Sequence, residues 1–278
     1  MKTKQNFLNI LKYAFLVLFA GIFIFPIAVI VINSFKQRFI INTSPFSFPT
    51  SDTFVGFENY IKGIEDIGFF NAFFYSVFIT VFSVLAILLF TSMTAWYIIR
   101  YKNRFTNFLY KALLFSMLVP FQMVMFTLSK TANTLRLDTP IGLIFVYLGF
   151  GAGLSVFLFC GFIKALPKSI EEAAFIDGCS PTGTFFKVVL PLLKPTAVSV
   201  AILQTMWIFN DYLLPYLLIG SEYKTLPIAV AYLKGGYGSV DMGAMMAVLV
   251  LCVIPVVVFY LLCQKHIIKG IAAGAVKG

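Results

Sequence analysis

Residues able to do chemistry are sparse in this chain, and most of those that stand out lie between Pro167 and Pro191. Ser169 followed three positions later by Glu172 has the spacing of a capping box, and Glu171 and Glu172 in a first turn suit the positive end of a helix dipole. A short helix is therefore expected to start at Ser169. Gly178 stands where a left-handed C-terminal residue is wanted, and Ser180-Pro181 reads as an N-cap followed by proline at the first helical position. A second short helix should follow, with Pro191 ending it. Between these caps, Ala173, Ala174, Phe175 and Ile176 place small and apolar side chains on a helix that projects into water. Such a surface wants a partner.

Outside this segment, Trp207, Asn210 and Asp211 are the notable side chains, because polar and ionisable groups sit there within an apolar run. An ionisable group at that position is costly and usually faces a cavity, a partner or water. Asn210 and Asp211 could line or gate a pathway, or make a structural hydrogen bond to a neighbouring helix. Trp207 could stack on a ligand ring or simply pack. No Gly-x-x-x-x-Gly-Lys-Ser/Thr loop is present to hold a nucleotide, and no nucleophile, base and orienting group share a recognisable spacing. Cys160, Cys179, Cys252 and Cys263 include no CxxC pair, and His266 is the one histidine, so neither a disulfide nor a metal is expected. The chain reads as a non-enzyme that binds no cofactor itself.

The elements that must position these residues belong to a membrane. Hydrophobic residues make up 60% of the chain, charged residues 12%, and the mean hydropathy is +0.94, whereas ordinary soluble domains are about 25% charged. Six apolar stretches are long enough to cross a hydrocarbon core, at about 13–33, 71–99, 108–129, 141–163, 196–219 and 242–264. They lack the alternation of barrel strands, so the fold expected is all-α, a polytopic protein with six transmembrane helices in a single domain over 1–278. The loop over 164–195 then lies between the fourth and fifth spans. Lys and Arg concentrate in segments on one side, such as Lys2, Lys4, Arg100, Lys102, Arg104, Lys164 and Lys187, which places both termini in the cytoplasm. The net charge of +10 is thus a topology signal and implies no nucleic acid. The first apolar run is too long for a secretory signal and is expected to be retained.

The loop resembles the EAA motif of ABC importer permeases: Glu172-Ala173-Ala174, three residues, Gly178, nine residues, Val188, one residue, Leu190-Pro191, with Asp177 before the glycine. Further likeness runs through Glu58-Asn59-Tyr60, Trp207-Ile-Phe-Asn210-Asp211-Tyr-Leu213 and the ending Gly274-Ala-Val-Lys-Gly278. On these residues the chain is identified as a member of the binding-protein-dependent carbohydrate uptake class, the maltose and multiple-sugar type, and as the smaller of two permeases. The resemblance implies the ABC type I importer permease fold. It also implies that residues about 169–190 form a coupling helix docked on a separate ATPase homodimer, which binds ATP and Mg.

The same resemblance implies a second, non-identical permease, an extracellular or periplasmic solute-binding protein, a di- or oligosaccharide cargo, and the plasma membrane of a bacterium. Gly274, Val276 and Lys277 would contact the ATPase by that likeness, or would form a frayed end. The outer segment 220–241, with Tyr223, Tyr232 and Tyr237 among glycines, is either a docking surface for the solute-binding protein or a solvated connector. The competing readings are an ABC permease for a non-sugar solute and a gradient-driven secondary transporter, which commonly shows internal repeats and several intramembrane charges.

Overall fold

The computed structural model describes residues 2–220, 222–233 and 240–275. Among them every regular element is a helix, apart from one isolated antiparallel bridge between Lys36 and Phe54. In chain order the helices are α1 (Lys2–Asn33), α2 (Arg38–Thr43), α3 (Glu58–Ile67), α4 (Phe69–Arg100), α5 (Arg104–Ser116), α6 (Phe121–Thr134) and α7 (Pro140–Ile163). There follow α8 (Ser169–Ile176), α9 (Pro181–Thr184), a wider π-turn at Phe185–Val189, α10 (Leu190–Leu192), α11 (Lys194–Phe209), α12 (Leu213–Leu218), α13 (Leu226–Ala231) and α14 (Met242–Ala275).

Four of these are long and apolar enough to cross a bilayer: α1 over Asn9–Asn33, α4, α7, and α14 over Met242–Lys265. Two bent pairs, α5 with α6 and the run 181–192 with α11, bring the number to six if each pair is one span. The protein is an all-α polytopic membrane protein.

Two of the expected spans are not straight helices. The stretch 108–129 breaks between α5 and α6, whose axes differ by 108°. Pro120 explains the break, since it lacks an N–H and its ring disfavours helical backbone at the residue before it. It stands instead as the N-cap of α6 with extended backbone. The stretch 196–219 breaks between Phe209 and Leu213. In an unbroken helix the ring of Pro215 would collide with the carbonyl of Asp211, four residues earlier. Pro191, expected to end the second short helix, does not. It lies within the helical run to Leu192, and the chain turns by 75° at Leu193. The π-turn just before it, closed by the Leu190 N–H on the Phe185 carbonyl, loosens the backbone where a tight turn would meet the proline ring.

Contacts cluster the residues into two compact units. One comprises Met1–Phe70 and Ala229–Val257. In it Asn59, 8% exposed, donates its amide to the carbonyls of Ser34 and Lys36, both at 2.9 Å, and the Tyr60 hydroxyl meets Ser34 Oγ at 2.7 Å. Within Glu58-Asn59-Tyr60, Asn59 and Tyr60 thus clamp the segment after α1 onto α3. Lys36 is fully buried there, its ammonium donating to Asn33 Oδ1, the Ser44 carbonyl and Ser47 Oγ, and burial pushes its pKa down. Gly63 lets α3 lie against α14, because a Cβ there would stand 2.6 Å from Val248.

The other unit comprises Asn71–Ile228 and Val258–Gly278 and centres on α7. Leu143, Tyr147, Phe159, Cys160 and Ile163 of that helix are fully buried. Small residues admit its neighbours, as expected where helices pack within lipid. A Cβ on Gly153 would stand 2.7 Å from the Leu113 carbonyl of α5, and one on Gly151 2.6 Å from Ile87 of α4. Gln204 of α11 donates to the Gly151 carbonyl at 3.3 Å and to Ser155 Oγ at 3.1 Å. The helices on either side of the 164–195 loop are thereby tied together.

Candidate functional site

The loop leaves α7 at Lys164 and enters α8 through Lys168, not Ser169. Ser169 already lies inside the helix and caps nothing, because the backbone of Lys168 is itself helical and its carbonyl accepts the N–H of Glu171 and Glu172. The far end matches the sequence expectation. Gly178 has φ +82°, its N–H meets the Phe175 carbonyl at 3.1 Å, and the Cys179 N–H meets the Ala174 carbonyl at 2.9 Å. That pair of bonds is a Schellman motif, which needs a left-handed residue at Gly178. Ser180 then caps α9, its Oγ accepting the Gly183 N–H at 3.1 Å, with Pro181 at the first position.

One face of this assembly is anchored. Glu171 is 7% exposed. Its Oε1 accepts Arg100 Nε at 2.8 Å with Arg100 Nη2 at 2.6 Å, and its Oε2 accepts the Trp96 indole N–H at 2.9 Å. Arg100 also reaches the Leu166 carbonyl, and as the last residue of α4 it complements the negative end of that helix's dipole. Phe185 packs beside Trp96 with ring centroids 5.6 Å apart. Ala174, Phe185, Val189 and Leu193 are buried on the same side. The opposite face is open: Glu172, Ala173, Asp177 and Gly178 are exposed, with Ile176 86% exposed, Pro191 exposed and Leu190 half-buried.

A second polar cluster lies beyond the other end of α11, whose 16 residues span about 24 Å. Asp211 sits in the break before α12. Its Oδ2 accepts the Tyr147 hydroxyl at 3.0 Å and its Oδ1 the Leu213 N–H at 3.1 Å. Trp207, 41% exposed, meets the Tyr147 ring edge to face at 5.5 Å. Tyr147 of α7 therefore gathers Asp211 and Trp207. Asn210 is exposed and donates its amide to the Met206 carbonyl of its own helix at 2.7 Å.

The profile of the family described as "Binding-protein-dependent transport system inner membrane component" matches residues 87–273, which include both clusters. The chain belongs to this family. As a transport component it is similar over nearly its whole length to two sugar permeases. One is the probable starch degradation products transport system permease protein AmyC of Thermoanaerobacterium thermosulfurigenes, 40% identical over 269 residues, 95% of this chain and 97% of that protein. The other is the multiple sugar-binding transport system permease protein MsmG of Streptococcus mutans, 34% identical over 282 residues and the full length of both. A crystal structure of a bacterial ABC transporter that imports the acidic polysaccharide alginate superposes with a TM-score of 0.79 at 23% identity, covering 94% of this chain and 97% of that one. At that identity the fold is what is shared, and it is the ABC importer permease fold.

In this transport component the sequence reading missed the anchor. Glu171 entered it only as a helix-dipole charge, and Arg100 only as a topology charge. The available signal was the Trp96, Arg100 pair, one helical turn apart at the end of an apolar span. Tyr147 was likewise passed over, although a tyrosine within an apolar run needs a partner for its hydroxyl. Of the tail residues, Val276 and Lys277 lie outside the described residues, as does Tyr237 of the outer segment, and Gly274 belongs to the last turn of α14.

Proposed function

We propose that the chain is a permease subunit of an ATP-driven, binding-protein-dependent importer of a sugar, a di- or oligosaccharide, in the plasma membrane of a bacterium. Its partners are a second, non-identical permease, a homodimeric ATPase that holds ATP and Mg, and an external solute-binding protein. The sugar cargo is supported by the named functions of the two permease relatives. The bias of Lys and Arg toward the loop side supports a cytoplasmic position for residues 164–195.

The observation that carries the coupling role is the opposite treatment of two adjacent glutamates. Glu171 is buried and fastened to α4 by Arg100 and Trp96, whereas Glu172 is exposed beside Ala173 and Gly178. A loop built this way transmits force. Its outer face offers an acid and small side chains that let a partner approach closely, and its inner face grips α4 while the chain itself continues into α7 and α11. Closure of the ATPase would displace these helices together, an alternating-access motion of packed elements. At the far end of α11, the Asp211–Tyr147 contact would then respond as part of the pathway.

The test is sugar-stimulated ATP hydrolysis in proteoliposomes holding the complete transporter, wild type against Glu172→Lys and Gly178→Asp. Complexes that assemble but lose stimulation are expected. Uptake that proceeds without ATP or the ATPase would replace this reading with a gradient-driven transporter, and stimulation by a non-sugar solute alone would replace its cargo.

A further inference from the structure

An open cavity of about 580 Å³ lies where α4, α5 and α7 reach one face of the bundle, and neither cluster described above uses it. Its walls include Lys102, Arg104 and Lys164, together with Asn103, Tyr110 and Ile98. No acidic side chain lines it. The nearest carboxylate along the loop, Glu171, is already held by Arg100 and Trp96. Lys164 stands over the Tyr110 ring at 5.6 Å, so it is directed across the cavity, not away from it.

Depth decides what such a cavity meets. Lys102 follows the last turn of α4, Arg104 is the first residue of α5, and Lys164 is the first residue after α7. All three cations therefore stand where apolar spans leave the hydrocarbon, which is the level of lipid headgroups. Tyr101, 49% exposed, flanks the same connection, and tyrosine concentrates at that level because its ring is apolar and its hydroxyl polar; Phe105 and Phe108, also exposed, add apolar surface beside it. Buried Ile98 and half-buried Ile99 supply the apolar part of the cavity wall, on the last turns of α4. The combination is a cationic cup with an apolar floor opening beside an aromatic rim.

We propose that this cavity binds the headgroup phosphate of an anionic phospholipid, with its acyl chains lying along α4 and α5. The Arg104 guanidinium offers a planar fork and the two lysines offer point charges, the usual partners of phosphate oxygens. A zwitterionic choline headgroup brings its own cation into the cup and is disfavoured. The proposal rests on the chain spanning a bilayer and on nothing about its cargo or its ATPase, so the two can fail independently.

Each cation near a charged membrane surface contributes about fivefold in affinity, so replacing all three weakens binding about 100-fold. The experiment is native mass spectrometry of the complete, delipidated transporter with phosphatidylglycerol or phosphatidylcholine added in equal amounts. Wild type is expected to retain phosphatidylglycerol over phosphatidylcholine, each single variant (Lys102→Gln, Arg104→Gln, Lys164→Gln) to lose about fivefold, and the triple variant about 100-fold. The single variants keep the test informative if the triple variant does not assemble. Equal retention of both lipids, or undiminished retention by the variants, overturns the proposal. So does retention that appears only after the ATPase subunits are stripped away, which would make the cup a protein interface. Thermal stabilisation by inorganic phosphate equal to that by phosphatidylglycerol would assign the site to free phosphate instead.

Discussion

Arg100 and Glu171, 71 positions apart, form an ion pair in which the side chains are only 11% and 9% exposed. The pair joins the end of α4 to the first turn of α8, and Trp96 and the Leu166 carbonyl complete its hydrogen bonds. Two desolvated charges contribute little net stability as a pair, but removing one leaves the other exposed to the full cost of burial, about 3–5 kcal/mol.

Arg100→Met should therefore destabilise the permease by about that amount, and Arg100→Met with Glu171→Met should recover most of it. The check is the thermal unfolding midpoint of the four-member cycle. The double variant should also remain poorly coupled in ATP hydrolysis, since its loop is no longer gripped by α4. If single and double variants unfold alike, the pair does not hold the loop.

Gly178 gives a sharper local prediction. At φ +82° a side chain other than glycine costs about 1–2 kcal/mol, with Asn the mildest. No atom lies within 4 Å of a Cβ built there, so the cost is conformational and not steric. Gly178→Asn should retain more stimulated ATPase activity than Gly178→Ala, and Gly178→Val should retain least. A ranking that follows side-chain volume alone would point to a crowded partner surface in place of backbone strain.

Asp211 and Tyr147 tie the break after α11 to α7. Tyr147→Phe removes the hydroxyl that meets Asp211 Oδ2, a loss of about 1 kcal/mol for a half-buried acceptor that water can still reach. Asp211→Ala should impair sugar uptake more than assembly of the complex, with Tyr147→Phe reproducing part of the defect. Normal uptake by an assembled Asp211→Ala transporter would leave the contact with a packing role only.

Much of this was legible in the sequence because lipid imposes simple rules. Apolar length marked α1, α4, α7 and α14, and Gly178 and Ser180-Pro181 marked the turn between the loop's two short helices by local backbone chemistry. What escaped was set by single prolines and by distant partners. Pro120 and Pro215 break apolar runs that hydropathy alone reads as continuous, and Pro191 is absorbed by a π-turn that no local pattern announces. The Arg100–Glu171 anchor escaped because charges near a span's end are first read as topology, and their pairing depends on how α4 meets the loop in three dimensions.

Lys62 and Asp241 provide a test by pH in the other unit. Their side chains meet at 2.5 Å, with Asp241 buried and Lys62 46% exposed, and Asp241 Oδ1 also accepts the N–H of Gly243 and Ala244 at the start of α14. Burial pushes the Asp241 carboxyl up, but the hydrogen bond from Lys62, the two backbone donors and the Lys62 charge outweigh it and hold it below the usual carboxylate range. Lys62 is raised, chiefly by its hydrogen bond to Asp241. A depressed acid stabilises the fold above its unfolded pKa of about 4, and that contribution is lost as pH falls below it; a raised lysine stabilises below about 10.4 and is lost above. Between those limits the pair is fully formed. Asp241→Asn keeps acceptors for the α14 amides but removes the charge, so at pH 7 it should cost about 1 kcal/mol. The stability gap between wild type and Asp241→Asn, read from thermal unfolding, should narrow as pH drops from 5 toward 3, and it should shrink in high salt because Lys62 is half in solvent. A gap that stays constant down to pH 3 would show that Asp241 acts as a helix cap alone.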